Sequence, residues 1–145
     1  MTAVTDLPVI KFETICTALR NTKLPSTDLV VGIGSGGVTL AAIAAYELNT
    51  SLEIVWLNYR DPNNRPIHVA PQLYQPFSVP PKTNRVLLVD DVVVSGKTMN
   101  AAKKLLTGTE VTTLALKGIA DIILFPNINS CVQWPWSPIK LKKTT

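Results

Sequence analysis

RVLLVDDVVVSGKT, running from Arg85 to Thr98, decides the fold of this 145-residue chain. Val86 to Val89 form a continuous apolar run without alternation, the pattern of a strand covered on both faces in a parallel sheet. That strand ends in two adjacent carboxylates, Asp90 and Asp91. A turn of small and hydroxylated residues follows, Ser95-Gly96-Lys97-Thr98, and a helix is predicted over 96–106. The first turn of a helix carries backbone N–H groups with no intrahelical partner, and the helix dipole draws an anion towards them. Ser95 and Gly96 let an anion approach the backbone, and the hydroxyls of Ser95 and Thr98 can donate to it. Ionised Asp90 and Asp91 are acceptors only. They suit the hydroxyls of a sugar, or Mg2+ held directly or through its waters. A ligand with both a diol and a phosphate monoester satisfies the two halves. A strand ending in acids before a Ser-capped helix is the plainer structural alternative.

Outward from that segment, strand and helix alternate. Residues 9–19 have apolar positions at helical spacing, and 21–28 is a connection containing Pro25. Leu29 to Ile33 is a second continuous apolar strand, 32–37 a glycine-rich turn, and 38–48 a helix with Leu40, Ala41, Ala44, Ala45 and Leu48 inward. A strand is predicted at 52–57. Residues 58–82 lack steady periodicity and hold six of the eleven prolines. So long a loop in a small domain is read as a flexible flap, with short strand pieces near 67–70. Strands at 85–89 and 109–116 follow, then two short apolar pieces at 119–124 and 131–134. The pattern predicts one domain over 1–145 with an α/β fold: an open, mostly parallel sheet with helices on both faces. Ligands of such sheets bind outside the carboxyl ends of the strands, so both turns should meet at one edge.

Two other phosphate motifs compete. Gly96-Lys97-Thr98 matches the end of a P-loop, but that motif requires glycine where Asp91 stands, so it fails. Gly32-Ile-Gly-Ser-Gly-Gly37 matches the dinucleotide fingerprint between a strand and a helix, with Asp61 after the next strand. That reading leaves the Asp90–Asp91 turn unexplained.

Composition bounds the partners. Hydrophobic residues make up 46% and charged residues 17%, with a formal charge of +4. Part of the positive charge lies in a basic tail at 138–145, through Lys140, Lys142 and Lys143. No basic face interleaved with aromatics is visible, so nucleic acid is not the expected partner. The charge-free stretch 29–46 reaches the lower length limit of a membrane span, yet glycines and Ser35 interrupt it. It reads as strand, turn and helix, and no membrane association is expected. Cys16 and Cys131 are far apart and lack metal-site spacing, which points to a reducing, cytoplasmic setting. No signal-peptide pattern is seen at the N-terminus.

The segment Asp90–Thr98 closely resembles the phosphoribosyl-diphosphate (PRPP) motif of the type I phosphoribosyltransferases. The chain is most similar to their small xanthine/hypoxanthine-guanine members. The resemblance implies that Asp90 and Asp91 hold the ribose hydroxyls and that Val94, Ser95, Gly96, Lys97 and Thr98 wrap the 5-phosphate. Gly34 to Gly37 resembles the pyrophosphate loop, with Ser35, Gly36 and Gly37 in that role. The proline-rich 58–82 corresponds to the mobile flap, whose Arg60 and His68 would approach pyrophosphate on closure. Lys117 matches the lysine that contacts a 6-oxo group. Cys131 to Trp136 resembles a short C-terminal base-covering segment, with Val132 and Trp134 beside the base. The reaction implied is Mg2+-assisted displacement of pyrophosphate from PRPP by a nucleobase, a purine by resemblance. Relatives of this kind often pair subunits, so the resemblance allows a homodimer; the residues themselves do not fix an oligomeric state.

Four residues depart from the pattern. Val94 stands where purine enzymes usually carry an Asp, and valine does no acid–base work, so no catalytic residue is assigned. Ser35 and Gly36 stand where the pyrophosphate loop usually offers a cation. Ser137 follows the base-covering segment where an acid is common. These departures keep open a second reading, a PRPP or nucleotide sensor that kept the pocket without turnover.

Overall fold

A computed structural model describes residues 7–58 and 70–137. Among the described residues three helices, α1 (Phe12–Arg20), α2 (Val38–Leu48) and α3 (Lys97–Lys104), accompany eight strands. These are β1 (Leu29–Gly34), β2 (Ser51–Asn58), β3 (Gln72–Leu73), β4 (Arg85–Val89), β5 (Val92–Val93), β6 (Glu110–Ala115), β7 (Lys117–Gly118) and β8 (Ile122–Ile123). Six form one sheet in the order β3-β2-β1-β4-β6-β8, and β5 pairs with β7 in a small second sheet. Every pairing in the main sheet is parallel except β2 with β3.

The continuous apolar runs behave as a doubly covered sheet requires. Along β1, Val30 points to one face, while Leu29, Val31 and Ile33 point to the other. Along β4, Leu87 and Val89 face the first layer and Val86 and Leu88 the second. The first layer is closed by Ile15 and Leu19 of α1 and by Leu40, Ala41, Ala44 and Ala45 of α2. The second is closed by Met99 and Ala102 of α3 with Leu106 beyond it. Each fully buried Leu contributes about 1.5–3 kcal/mol of transfer free energy. Helices therefore lie on both faces, as the alternation predicts.

The chain leaves β1 towards β2 on one side and returns to place β4 on the other. Such a reversal of strand order opens a crevice past the carboxyl ends of the two central strands. The register sets Gly32 of β1 opposite Val89 of β4. The residues that follow each, the glycine turn and the acidic doublet, meet just beyond the sheet.

Several boundaries differ from the sequence prediction. The first helix begins at Phe12, because Val9 and its neighbours pair instead with the far end of the chain: Ile10 N–H donates to the Gln133 carbonyl at 3.1 Å and Gln133 N–H to the Pro8 carbonyl at 2.8 Å. Gly96 adopts φ 83°, a left-handed conformation outside the helix, so α3 starts one residue later. It ends at Lys104, where Leu105 and Leu106 form tighter turns onto Ala102 and Lys103. Within 70–82, β3 supplies an edge strand that composition had hidden; the strand pieces expected near 67–70 lie outside the described residues apart from Ala70. The charge-free stretch 29–46 resolves into β1, a turn and most of α2. Among the described residues no helix is long and apolar enough to cross a membrane.

Candidate functional site

The acidic doublet continues the ladder of β4. Asp90 N–H donates to the Leu114 carbonyl at 3.1 Å, and the Asp91 carbonyl accepts from Leu116 N–H at 2.8 Å. The backbone of Asp90 is thereby pinned to β6 and that of Asp91 to the residue just after it. The side chains are oriented locally. Asp90 Oδ1 accepts from Asp91 N–H at 2.8 Å, and Asp91 Oδ1 from Val92 N–H at 2.7 Å. Each carboxylate thus commits one oxygen to the next backbone amide. Burial, and then the neighbouring charge of Asp91, hold the Asp90 carboxyl well above the usual carboxylate range, against the opposing pull of the Asp91 N–H. Carboxyls perturbed by burial and by a like charge in a crevice make this doublet a candidate functional site.

From the doublet to the start of α3 the backbone curls around a cavity of about 330 Å³ lined by residues 90–99. Val94, Ser95, Gly96, Lys97 and Thr98 all line it, together with Asp90 and Asp91. The left-handed Gly96 lets the chain turn back into α3, and Ser95 Oγ accepts from Lys97 N–H at 3.4 Å. The side chain of Val94 is 73% exposed at this rim.

The glycine turn closes the other side. A Cβ placed on Gly36 would lie 2.7 and 2.8 Å from the two carboxylate oxygens of Asp91. One on Gly37 would lie 2.5 Å from the Val89 carbonyl oxygen. At Gly37 the near atoms are backbone and only glycine permits the approach, so the turn and the doublet lie side by side at one edge of the sheet. The Gly34–Ser35 peptide is cis, and Ser35 is exposed. The glycines of the dinucleotide-like pattern also serve packing, since Gly32 makes room for Ala41 of α2.

The residues expected near a base sit apart from this cavity. Lys117 is half-buried on β7, and its Nζ donates to the Ser130 carbonyl at 2.6 Å. Val132 is half-buried against the core. Trp134 is 5% exposed and packs within the first core layer, stacked on Trp136 at 6.3 Å between ring centroids and near Phe125 at 6.2 Å. Arg60 and His68 lie outside the described residues. What sequence reasoning missed is the joining of these parts. β5 and β7 bind the doublet turn to Lys117 and Gly118, and Pro8 to Ile10 clamp the last segment through Gln133. Backbone groups make these links, so no side-chain motif signals them.

Similarity to known proteins agrees with this geometry. The chain is 31% identical over 106 residues to an adenine phosphoribosyltransferase of Acidovorax sp. (strain JS42), covering 66% of this chain and 55% of the relative. It is 28% identical over 140 residues to the adenine phosphoribosyltransferase of Cupriavidus pinatubonensis, covering 80% and 72%. It thus spans about half the length of most of the curated relatives it matches. The fold is shared with a purine phosphoribosyltransferase from Pyrococcus horikoshii at TM-score 0.75 and 18% identity, over 97% of this chain and 100% of that one. It is shared also with a xanthine-guanine-hypoxanthine phosphoribosyltransferase from Helicobacter pylori, at TM-score 0.74 and 16% identity over 90% and 93%. The family model described as "Phosphoribosyl transferase domain" matches residues 11–119, from the start of α1 through β7, and the chain belongs to that family.

Proposed function

We propose that this chain transfers the phosphoribosyl group of PRPP to a ring nitrogen of a purine, releasing pyrophosphate. The observation that carries the reading is the close approach of the glycine turn to the acidic doublet, where a Cβ on Gly36 would lie 2.7 Å from an Asp91 carboxylate oxygen and one on Gly37 2.5 Å from the Val89 carbonyl oxygen. The purine assignment draws on relatives named as adenine and purine phosphoribosyltransferases.

In this reading Asp90 and Asp91 accept from the ribose hydroxyls and fix the ring. The turn at 94–98 holds the 5-phosphate with backbone N–H groups and the hydroxyls of Ser95 and Thr98. Ser35, Gly36 and Gly37 face the pyrophosphate with their backbone. The bond from C1 to the pyrophosphate oxygen breaks as the bond from C1 to the base nitrogen forms, and positive charge develops on the ribose. The fixed negative charge of the doublet stabilises that charge, and the two anion sites hold the reactants in line. Lys117 and Val132 bound the base side, with Trp134 supporting the segment from beneath. Valine at 94 moves no proton, so the base's proton leaves to solvent or to the product pyrophosphate.

The donor set fits Mg2+ shared with a ligand. Among the described residues no cluster of three metal-binding side chains gathers, so there is no all-protein cage. Two adjacent carboxylates match the one or two that Mg2+ takes beside phosphate oxygens and waters. Asp90 and Asp91 would hold it directly or through water, and it would shield leaving-group charge. The two free cysteines support a reducing, cytoplasmic setting.

The test is a panel assay. Protein, PRPP and Mg2+ are incubated with adenine, guanine, hypoxanthine, xanthine, uracil or orotate, and pyrophosphate is followed. Release with a purine is expected. PRPP binding with no release from any base would replace the enzyme by a sensor, and absence of PRPP binding would remove both.

A further inference from the structure

Lys117 stands where the resemblance expects a residue that touches the base, yet its ammonium is already engaged. Nζ lies 2.6 Å from the Ser130 carbonyl, a short charge-assisted bond between β7 and the C-terminal segment. That bond has a particular place in the chain. Ile128 N–H is held by the Phe125 carbonyl and Gln133 N–H by the Pro8 carbonyl. Between them, among the described residues, the Lys117–Ser130 bond is the one hydrogen bond that holds residues 129–132. Val132, the base-side residue, sits within that span. The other end of the link is equally fixed. Lys117 pairs with Val92 in the small sheet, its N–H and that of Leu116 both reach the Asp91 carbonyl, and Gly118 packs against Val93 so closely that a Cβ would clash with its carbonyl. Lys117 itself does not line the 330 Å³ cavity.

We infer that Lys117 is a positioning residue: it rivets the base-covering span 129–132 to the acidic-doublet turn, so that ribose and base are registered to each other, rather than reading the base's 6-substituent. The inference rests on the proposed phosphoribosyl transfer for its kinetic consequence only. Water reaches this bond, so it is worth about twofold to fivefold in an equilibrium constant. Its loss acts on every purine alike, because what is lost is the placement of the span.

The experiment compares Lys117→Met, which keeps the aliphatic stem, with Lys117→Arg, which keeps a donor for the carbonyl. Amide hydrogen exchange at Ile128 and Gln133 should quicken about twofold to fivefold in Lys117→Met and stay near wild type in Lys117→Arg, with the amides of β4 unchanged. This readout needs no turnover, so it stands or falls apart from the proposed activity. In the kinetic arm, KM should rise by similar factors for adenine and for hypoxanthine, with PRPP affinity retained and Lys117→Arg restoring most of the loss. Unchanged exchange at Ile128 and Gln133 overturns the inference. So does a loss confined to 6-oxopurines, which would make Lys117 a direct reader of the base.

Discussion

Replacing Gly36 by Ala probes the join between the two halves of the site. The added Cβ would lie 2.7 and 2.8 Å from the Asp91 carboxylate oxygens and 2.9 Å from its carbon. Those distances to oxygen fall 0.7 and 0.6 Å short of the 3.4 Å at which ordinary contact begins. Asp91 cannot swing away freely, because Oδ1 is bonded to Val92 N–H at 2.7 Å. Binding constellations tolerate displacements of about 0.5 Å, so this shift exceeds what the sugar hydroxyls can follow. Loss of one carboxylate hydrogen bond costs about 1.5–3 kcal/mol, or about tenfold to hundredfold in affinity. We therefore expect the Kd for PRPP, measured by titration calorimetry, to rise by that factor, and kcat/KM to fall at least as far. In an Asp91→Asn background the same substitution should cost much less, because the group it displaces has already lost its charge. A folded Gly36→Ala protein whose affinity stays within twofold of wild type would refute the reasoning, since the glycine turn and the doublet would then not share a ligand.

Asp90→Asn should strengthen the unliganded fold at neutral pH while weakening PRPP binding. The native carboxyl titrates above its unfolded value of about 3.9, so the native state holds its proton longer and stability falls as pH rises through the interval between the two values. Urea midpoints from pH 4 to 7 should show that slope in wild type and a flatter one in the variant; identical slopes would place Asp90 in an unperturbed setting. Asp28, held low by N–H bonds from Arg85 and Asn84, acts in the opposite sense at lower pH and is common to both proteins. Asp121→Ala should cost about 2–4 kcal/mol, because the 2%-exposed Thr113 would lose acceptors for both its N–H and its hydroxyl. Asp121→Asn should recover part of that in the same denaturation assay. Leu87→Ala, at a fully buried position of β4, should cost about 2–5 kcal/mol without changing the ligand preference of whatever remains folded.

Residues that face two packed layers announce themselves. Leu29 to Ile33 and Val86 to Val89 carry no polar alternation, and α2 occupies the span its spacing predicts. The doublet and the turn stand out in the sequence as acids, then small and hydroxylated residues, and the structure places a cavity along them. Other parts had no comparable signal. β5 and β7 are two residues long, too short for any periodicity to register. Spacing places Val9 in a helix, but its pairing is with Gln133, more than a hundred residues away. Lys117 matches a base-contacting lysine by resemblance, and no sequence signal marks its bond to the Ser130 carbonyl, because every residue type carries that group. Trp134 could equally have stacked or packed by composition; its neighbours Phe125 and Trp136 draw it into the core.

The most direct measurement is a crystal of the protein with ribose-5-phosphate. The sugar hydroxyls should lie within hydrogen-bond distance of Asp90 and Asp91, with the phosphate seated in the turn formed by residues 94–98. A phosphate bound elsewhere, or hydroxyls turned away from both acids, would contradict the assignment of this crevice.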